Sequence, residues 1–212
     1  MRIGVVGSGI SGLSCAYLLC DSHDVVVFEA ANSIGGHTAT TDVDLEGQRY
    51  AVDSGFIVFN DRNYPHFSAL LKELGVKIKT TTMGFSVSDL PSGLEYSGTN
   101  LNTLFAQRRN IFSWSFVTLV KDILRFNKRA TNDLRKNLID PTESLETYLS
   151  RNRYGKAFIE KYLVAMGSAI WSSSWSKTLD MPALFFVKFF YNHGLLSIRN
   201  RPQWYVIDGG SR

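Results

Sequence analysis

Hydrophobic positions near the N-terminus change their spacing twice. A short apolar run from Ile3 to Val6 is typical of a strand buried on both faces, and apolar residues then recur at helical spacing over 10–20. A second run, β-branched and aromatic, extends from Val25 to Phe28. The pattern predicts a strand, a glycine turn, a helix and a second strand within the first 29 residues.

Strand-like patterns continue over the next 70 residues, with one helix among them. Alternation on both sides of Glu46-Gly47 predicts a hairpin over 40–52, and an apolar strand is expected to follow from Asp53 to Phe59. An amphipathic helix is predicted from Tyr64 to Gly75. Three further strand-like runs are present: 76–80, 84–87 and 94–96.

After Leu101 the spacing of the hydrophobic residues becomes helical. Long helices are predicted as far as Trp171, with Thr142 capping one of them. The helix after Pro182 is apolar nearly all round, so it should be buried or line a cavity. A last strand runs into Gly209-Gly210, and a glycine turn with no element after it suggests that the fold is cut short.

Composition indicates an ordinary globular protein, with 44% hydrophobic and 20% charged residues. The net charge of +4 is uneven, because residues 101–137 alone carry a net charge of +6. A solvated helix face accounts for this stretch, and an anionic partner or a peripheral membrane contact through 108–136 is the alternative. No nucleic-acid partner is expected, and the oligomeric state is left open.

Cysteines and histidines indicate neither a disulfide nor a metal site. Cys15 and Cys20 lie five positions apart in the first predicted helix, so we expect reduced core residues. The four histidines show no metal-ligand spacing. The chain has no secretory leader pattern and no stretch of 18 apolar residues, and a cytoplasmic protein is therefore expected.

The turn after the first strand has the GxGxxG spacing of a dinucleotide-binding motif. Gly7 allows a tight turn, Gly9 lets the backbone approach a pyrophosphate, and Gly12 lets the helix pack on the strand. The free amides and positive dipole end of the helix would then face the phosphates. The glycines alone would fit an ordinary turn, but the strand, helix, second strand and terminal acid are all in place.

Glu29 supplies that terminal acid, 17 positions after Gly12. At the carboxyl end of the second strand its carboxylate could accept hydrogen bonds from both ribose hydroxyls of an adenosine. A 2′-phosphate would be repelled there, so NADP is disfavoured.

A second glycine pair, Gly35-Gly36, follows, and Asp53-Ser54-Gly55-Phe56 comes after the hairpin. Paired glycines leave consecutive amides uncovered, which suits a phosphate or a flavin edge, although a plain turn would fit the pair equally well. Together with the first turn and Glu29, these motifs resemble the superfamily of flavin-containing amine oxidases, protoporphyrinogen oxidases and phytoene desaturases, and a bacterial NAD/FAD-binding branch of it.

The resemblance implies an FAD site. The residues that match the superfamily's cofactor-binding positions are Gly7, Ser8, Gly9, Ile10, Ser11, Gly12, Glu29, Ala30, Gly35, Gly36, His37, Thr38, Asp53, Gly55 and Phe56. His37 stands where the superfamily commonly has arginine, and this weakens a phosphate contact. The flavin carries the redox step, so no catalytic side chain is assigned.

The implied fold class is α/β, with a Rossmann-like FAD-binding domain (1–80 and 203–212) and an inserted, largely helical substrate domain (81–202), both incomplete. The implied function is an FAD-dependent oxidoreductase that oxidises or desaturates a small amine or an apolar, lipid-like substrate. Trp171 and Trp175 could wall the substrate cavity, although core packing is expected for at least one of them. An NAD-dependent dehydrogenase and a non-catalytic nucleotide-binding remnant are the alternatives.

Overall fold

The computed structural model describes residues 1–197 and 201–211, which fall into two compact units. The first unit comprises Met1–Thr82 and Gln203–Arg212, and the second comprises Met83–Pro202. Each unit contains segments of both helix and strand.

The first unit follows the predicted order of strands and helices. Its elements are β1 (Arg2–Val6), α1 (Ile10–Leu19), β2 (Asp24–Phe28), β3 (Thr40–Leu45), β4 (Gln48–Asp53), α2 (Pro65–Glu73), β5 (Ile78–Thr81) and β8 (Trp204–Ile207). The predicted strand, turn, helix and strand at the N-terminus are confirmed, as are the hairpin and the helix that follows it.

Strand pairing in the first unit joins distant parts of the chain. β1 and β2 pair in parallel, with Arg2 opposite Asp24 and Val6 opposite Phe28. β5 pairs with β8 in antiparallel fashion, although more than 120 residues separate them along the chain. An isolated bridge between Phe59 and the β8 strand extends this pairing.

The second unit begins with a hairpin and continues as helices. Its elements are β6 (Ser86–Asp89), β7 (Leu94–Ser97), α3 (Leu101–Leu104), a 3-10 turn (Arg108–Phe112), α4 (Trp114–Arg135), α5 (Leu145–Arg151), α6 (Lys156–Phe158), a π-helical segment (Ile159–Val164), α7 (Ala165–Trp171), α8 (Trp175–Asp180) and α9 (Ala183–Asn192). The largely helical texture predicted after residue 101 is confirmed.

Aromatic and branched side chains form the core of the second unit. α4, α5, the π-helical segment and α9 each bury one face in it, and its fully buried members include Phe126, Leu145, Tyr148, Leu163 and Phe186. The aromatic rings meet mainly at tilted or edge-on angles, which the quadrupoles of the rings favour.

Serine side chains cap the N-termini of two helices, α4 and α5, that pack on this core. The Ser113 side chain accepts a hydrogen bond from the Phe116 amide at the start of α4, and Ser144 does the same for the Thr147 amide at the start of α5. The expectation that Thr142 would be the cap is wrong. Its amide and hydroxyl both donate to the Asp140 carboxylate, so it belongs to the preceding turn.

Burial near the N-terminus is lower than predicted. Val6 is 89% exposed, and Cys15 and Cys20 are exposed rather than core residues. In the described part of the chain β1 pairs only with β2, and α1 has no fully buried residue. With so few neighbours, an apolar strand keeps much of its surface accessible, whereas parallel sheets are ordinarily covered on both faces.

Two other expectations about regular structure are also wrong. Residues 54–58 do not form a strand, because β4 ends at Asp53 and the chain then bends. α9 is not buried all round, since Phe186 and Phe190 face the core while Phe185 is half exposed.

None of the helices in 1–197 and 201–211 combines the length and the hydropathy needed to cross a bilayer.

We predict that Tyr148→Phe destabilises the second unit. The buried Tyr148 hydroxyl donates to Asp133 Oδ2 at 2.9 Å, and the carboxylate is itself buried. Removing the donor leaves a buried charge short of one hydrogen bond, which costs about 1–3 kcal/mol. Urea denaturation monitored by circular dichroism measures the loss.

Tyr191→Phe is the matched control, because the Tyr191 hydroxyl is in a partly exposed contact of 3.4 Å with Arg135. Its effect should stay within about 0.5 kcal/mol. Equal losses in the two variants would contradict the role given to the buried hydrogen bond.

Candidate functional site

The first glycine turn begins where β1 ends. Gly7 has φ +94°, a conformation that L side chains rarely adopt, and its amide donates to the Phe28 carbonyl at 2.7 Å. This bond ties the turn to the end of β2. The tight turn expected at Gly7 is therefore present.

Gly12 provides the close packing between helix and turn. A Cβ atom at Gly12 would lie 2.0 Å from the Gly7 carbonyl oxygen, which is far inside van der Waals contact. Only glycine fits there without movement of the backbone, so the packing predicted for this position is confirmed.

The N-terminus of α1 is open to an anion. Gly9 is the N-cap residue, no side chain caps the helix, and no acidic residue lies in its first turn. A Cβ atom at Gly9 would meet only the Gly36 Cα, at 4.0 Å. No side chain therefore caps the first amides or the positive end of the ten-residue helix.

The second glycine pair lies directly against this turn. The Gly35 amide donates to the Ser8 carbonyl at 2.9 Å, and Gly9 and Gly35 form a parallel bridge. Gly36 has φ +63°, and a Cβ atom there would stand 2.9 Å from the Gly9 Cα. Two backbones therefore approach each other at the start of α1 with no side chain between them.

The Glu29 side chain turns toward the same place. Its Oε2 accepts hydrogen bonds from the amide and the hydroxyl of Ser8, and its Oε1 accepts one from the Ala31 amide at 2.8 Å. The Ser8 hydroxyl, followed by the Ala31 and Ser8 amides, lowers the pKa of Glu29 to about 2. Glu29 is solvent-exposed and carries its negative charge beside the glycine turn.

Glu29 and Ser8 form a contact that the sequence did not predict. Ser8 is almost fully buried, so one carboxylate oxygen is engaged within the protein. The other oxygen accepts a hydrogen bond from the Ala31 amide and has a further lone pair for another donor. A serine within GxGxxG followed by an acid after the second strand was the available clue.

A third close approach joins Gly55 to His37. A Cβ atom at Gly55 would lie 1.8 Å from the His37 carbonyl oxygen, and the Ser54 amide donates to the Ala39 carbonyl at 2.9 Å. The Thr38 amide donates back to Gly35. The segment that begins at Gly35 is therefore held along the turn that follows β4.

Asp53 organises the end of the described chain. Its Oδ1 accepts hydrogen bonds from the Thr40 hydroxyl at 2.6 Å and from the Ser211 amide and hydroxyl, both at 3.0 Å. A Cβ atom at Gly210 would lie 2.4 Å from Thr40 Cγ2. Thr40 and Ser211 were not predicted as site residues, and the clue was the glycine pair after β8.

The remaining predicted residues lie nearby or elsewhere. Ile10, Ser11 and Ala30 are exposed beside the glycine turn. The Phe56 ring packs edge-on against Tyr64 and Phe67, with ring centroids 6.2 Å and 5.4 Å away. Phe56 therefore contributes to packing within the first unit.

Trp171 and Trp175 have different surroundings. Trp171 packs against four phenylalanines of α9, the nearest being Phe189 at 4.8 Å between ring centroids. Trp175 lines an open cleft of about 290 Å³ together with Glu146 and Glu160. The packing role expected for one tryptophan is thus filled by Trp171.

Sequence comparison finds a family model and curated relatives that match the N-terminal segment. Residues 5–74 match the model of the NAD(P)-binding Rossmann-like domain. A 15-cis-phytoene desaturase of Synechococcus elongatus is 36% identical over 78 residues, which are 36% of this chain and 16% of that protein. An L-amino acid oxidase of Cerastes cerastes is 45% identical over 47 residues, 22% of this chain and 9% of that protein.

Solved structures share the fold over nearly the whole chain. Putrescine oxidase (TM-score 0.58, 20% identity) and the cyclohexylamine oxidase of Brevibacterium oxydans (TM-score 0.62, 16% identity) each match 99% of this chain. A fatty acid isomerase of P. acnes matches equally widely, with a TM-score of 0.60 and 14% identity. The chain spans about half the length of these structures and 9–30% of the curated relatives.

These findings confirm the resemblance to the superfamily of amine oxidases and desaturases, and the Rossmann-like α/β fold. The particular residues assigned to the cofactor stay predictions.

We predict that Ser8→Ala raises the pKa of Glu29 toward its ordinary value of about 4.5. The Ser8 hydroxyl is the largest cause of the lowered pKa, and the variant removes it. A carboxylate with a lowered pKa stabilises the fold above its ordinary pKa and loses that effect as the pH falls toward about 2. Carboxyl carbon NMR titration measures the change.

In the parent protein the Glu29 signal should stay at its ionised position down to about pH 3, whereas in Ser8→Ala it should titrate within the accessible range. Ser11→Ala is the control, because Ser11 lies three residues away in the first turn of α1 and is not among the hydrogen-bond donors to Glu29 in the described residues. Identical titration curves in all three proteins would refute the Ser8–Glu29 contact.

Proposed function

We propose that this chain, as a relative of the amine oxidases and desaturases, provides the FAD-binding fold of an FAD-dependent oxidoreductase of the amine-oxidase type. The observation that carries the proposal is the meeting of Gly9 and Gly36 at the open N-terminus of α1, with the Glu29 carboxylate beside them. A pyrophosphate and an adenosine ribose together require these groups.

The residues fit the ADP half of FAD. Gly9 has open space on its Cβ side, so a phosphate could approach its backbone. The first amides of α1 and the helix dipole would balance the pyrophosphate charge. Glu29 Oε1 would accept a ribose hydroxyl, and its fixed negative charge at neutral pH would repel a 2′-phosphate.

The segments beyond the first turn favour FAD over NAD. An NAD site of the Rossmann type needs the first glycine turn and the acid, but not a second glycine pair along that turn. Here Gly35 and Gly36 lie against it, and Gly55 packs on the His37 main chain. These close approaches extend the line of exposed backbone toward the region where the longer FAD molecule would continue.

The chemistry would come from the cofactor, because FAD, when bound, would accept the hydride of a substrate C–H bond as the adjacent C–N or C–C bond is oxidised. The chain's own residues would bind and orient it. Ser8 holds the Glu29 carboxylate in place, and Asp53 holds the turn that ends at Ser211.

The proposed substrate is a small amine or an apolar, lipid-like molecule. Support comes from the proteins that share the fold, which include a putrescine oxidase, a cyclohexylamine oxidase and a fatty acid isomerase. Trp175 and Phe185 are two half-exposed aromatic side chains of the second unit that such a molecule could contact.

The proposal is tested by titrating the purified protein with FAD and with NAD⁺, using flavin fluorescence and calorimetry. We expect FAD to bind and NAD⁺ to bind more weakly. Glu29→Lys should weaken FAD binding by about 10- to 100-fold, because it replaces an acceptor of charge-assisted hydrogen bonds with a cation.

Glu46→Lys is the control, since it makes the same charge change in the exposed turn between β3 and β4 and should leave the affinity unchanged. Preference for NAD⁺ would favour the dehydrogenase alternative. A folded protein that takes up neither ligand would favour a non-catalytic remnant, and either result would overturn the proposal.

A further inference from the structure

The second unit presents an apolar tip to solvent. The tip consists of Ile111 and Phe112 in the 3-10 turn, and Trp114 and Val117 in the first turn of α4. Phe112 is 91% exposed and Trp114 is 84% exposed, whereas Phe116, two residues further along α4, is buried in the unit. Adjacent large aromatic side chains left in water mark an interaction surface.

The outward face of α4 next to the tip is basic. Its exposed charged residues are Lys121, Arg125, Lys128, Arg129 and Arg135, and the exposed C-cap residue Lys136 follows them. The acidic residues of the helix, Asp122 and Asp133, are only 6% and 5% exposed and lie on its inner side. The exposed face of α4 therefore carries charge of one sign.

Internal contacts explain why the acids are turned inward. Asp122 accepts a hydrogen bond from the Gly155 amide at 2.9 Å, and Asp133 accepts one from the Tyr148 hydroxyl at 2.9 Å. Both also pair with an arginine of the same helix. In the described part of the chain, Lys121, Lys128 and Lys136 have no ion-pair partner and remain available to an external anion.

A cleft of about 450 Å³ opens beside the tip. Its lining includes Phe112, Ser113 and Ser115 together with the basic residues Arg109 and Lys161. Arg109 donates one hydrogen bond to the Gly93 carbonyl at 3.2 Å and keeps further donors free for a ligand. The cleft is large enough for a phosphate headgroup.

We propose that this surface docks the protein on an anionic lipid bilayer. Phe112 and Trp114 would insert among the headgroups, where aromatic side chains are favoured, and the lysines of α4 would lie over the negative lipid surface. The combination of an aromatic tip with a basic helix face matches a bilayer, which offers an apolar interior beneath an anionic surface. The proposal is independent of FAD binding.

Flotation with lipid vesicles tests the proposal. The protein should float with vesicles of phosphatidylcholine containing about one third phosphatidylglycerol, and much less with phosphatidylcholine alone. Binding should weaken as NaCl is raised from about 0.05 M to 0.5 M, because salt screens the lysines from the lipid charge. Tryptophan emission should shift to shorter wavelength on binding, and the shift should be lost in Trp114→Phe.

Two sets of variants separate the apolar and the charged contributions. Phe112→Ser combined with Trp114→Ser should lower vesicle affinity by at least about tenfold, because both side chains would enter the interface. Lys121→Gln, Lys128→Gln and Lys136→Gln should each lower it by about fivefold.

Matched controls are available elsewhere in the chain. Leu138→Ser removes an exposed apolar side chain beyond the far end of α4, and Lys72→Gln, Lys77→Gln and Lys177→Gln remove exposed lysines outside the surface. These variants should bind vesicles like the parent protein. Because the altered side chains are exposed, circular dichroism and thermal midpoints should be unchanged throughout.

Three results would overturn the proposal. The first is that the parent protein does not float with anionic vesicles. The second is that it binds single-stranded DNA through the lysines, with no contribution from Phe112 and Trp114. The third is that the parent protein sediments as a dimer and the Phe112→Ser, Trp114→Ser variant as a monomer, which would make the tip a contact between two copies.

Discussion

The approach of the Gly9 and Gly36 backbones is the constraint on which the first unit depends. A side chain at Gly36 would stand 2.9 Å from the Gly9 Cα, so the two segments meet this closely only if residue 36 is glycine or the backbone moves. Their meeting brings the turn before α1 against the segment that follows β2. It also leaves the start of the helix uncovered, because there is no Cβ atom on either side of it.

The same arrangement recurs along the unit. Gly12 lies on the Gly7 carbonyl, Gly55 on the His37 carbonyl and Gly210 on the Thr40 side chain, each too close for a Cβ atom. Carboxylates then hold the neighbouring segments together. Glu29 accepts a hydrogen bond from the Ser8 amide, and Asp53 accepts one from the Ser211 amide. Backbone proximity and a buried or half-buried hydrogen bond thus act together at each end of the unit.

Local features of this arrangement could be predicted from the sequence, and contacts between distant residues could not. Glycine spacing and alternating runs specified the βαβ unit and the hairpin, because turns and periodicity are properties of neighbouring residues. The hydrogen bond between Asp53 and Ser211 joins positions 158 apart, and no periodicity encodes it. The burial predicted for Val6 was wrong for the same reason. Val6 belongs to an apolar run typical of a core strand, but its exposure depends on which elements cover that strand.

Packing gives α4 a surface charge that its amino-acid composition alone does not predict. Along the chain, the basic residues of 101–137 are interrupted by two acids, and a solvated face of mixed charge would be a fair interpretation. In the fold, the Gly155 amide and the Tyr148 hydroxyl bind those acids on the inner side of the helix. The hydrogen bonds that stabilise the core therefore also remove negative charge from the surface. Any substitution that releases Asp122 or Asp133 would alter both the stability of the unit and the electrostatics of its outer face.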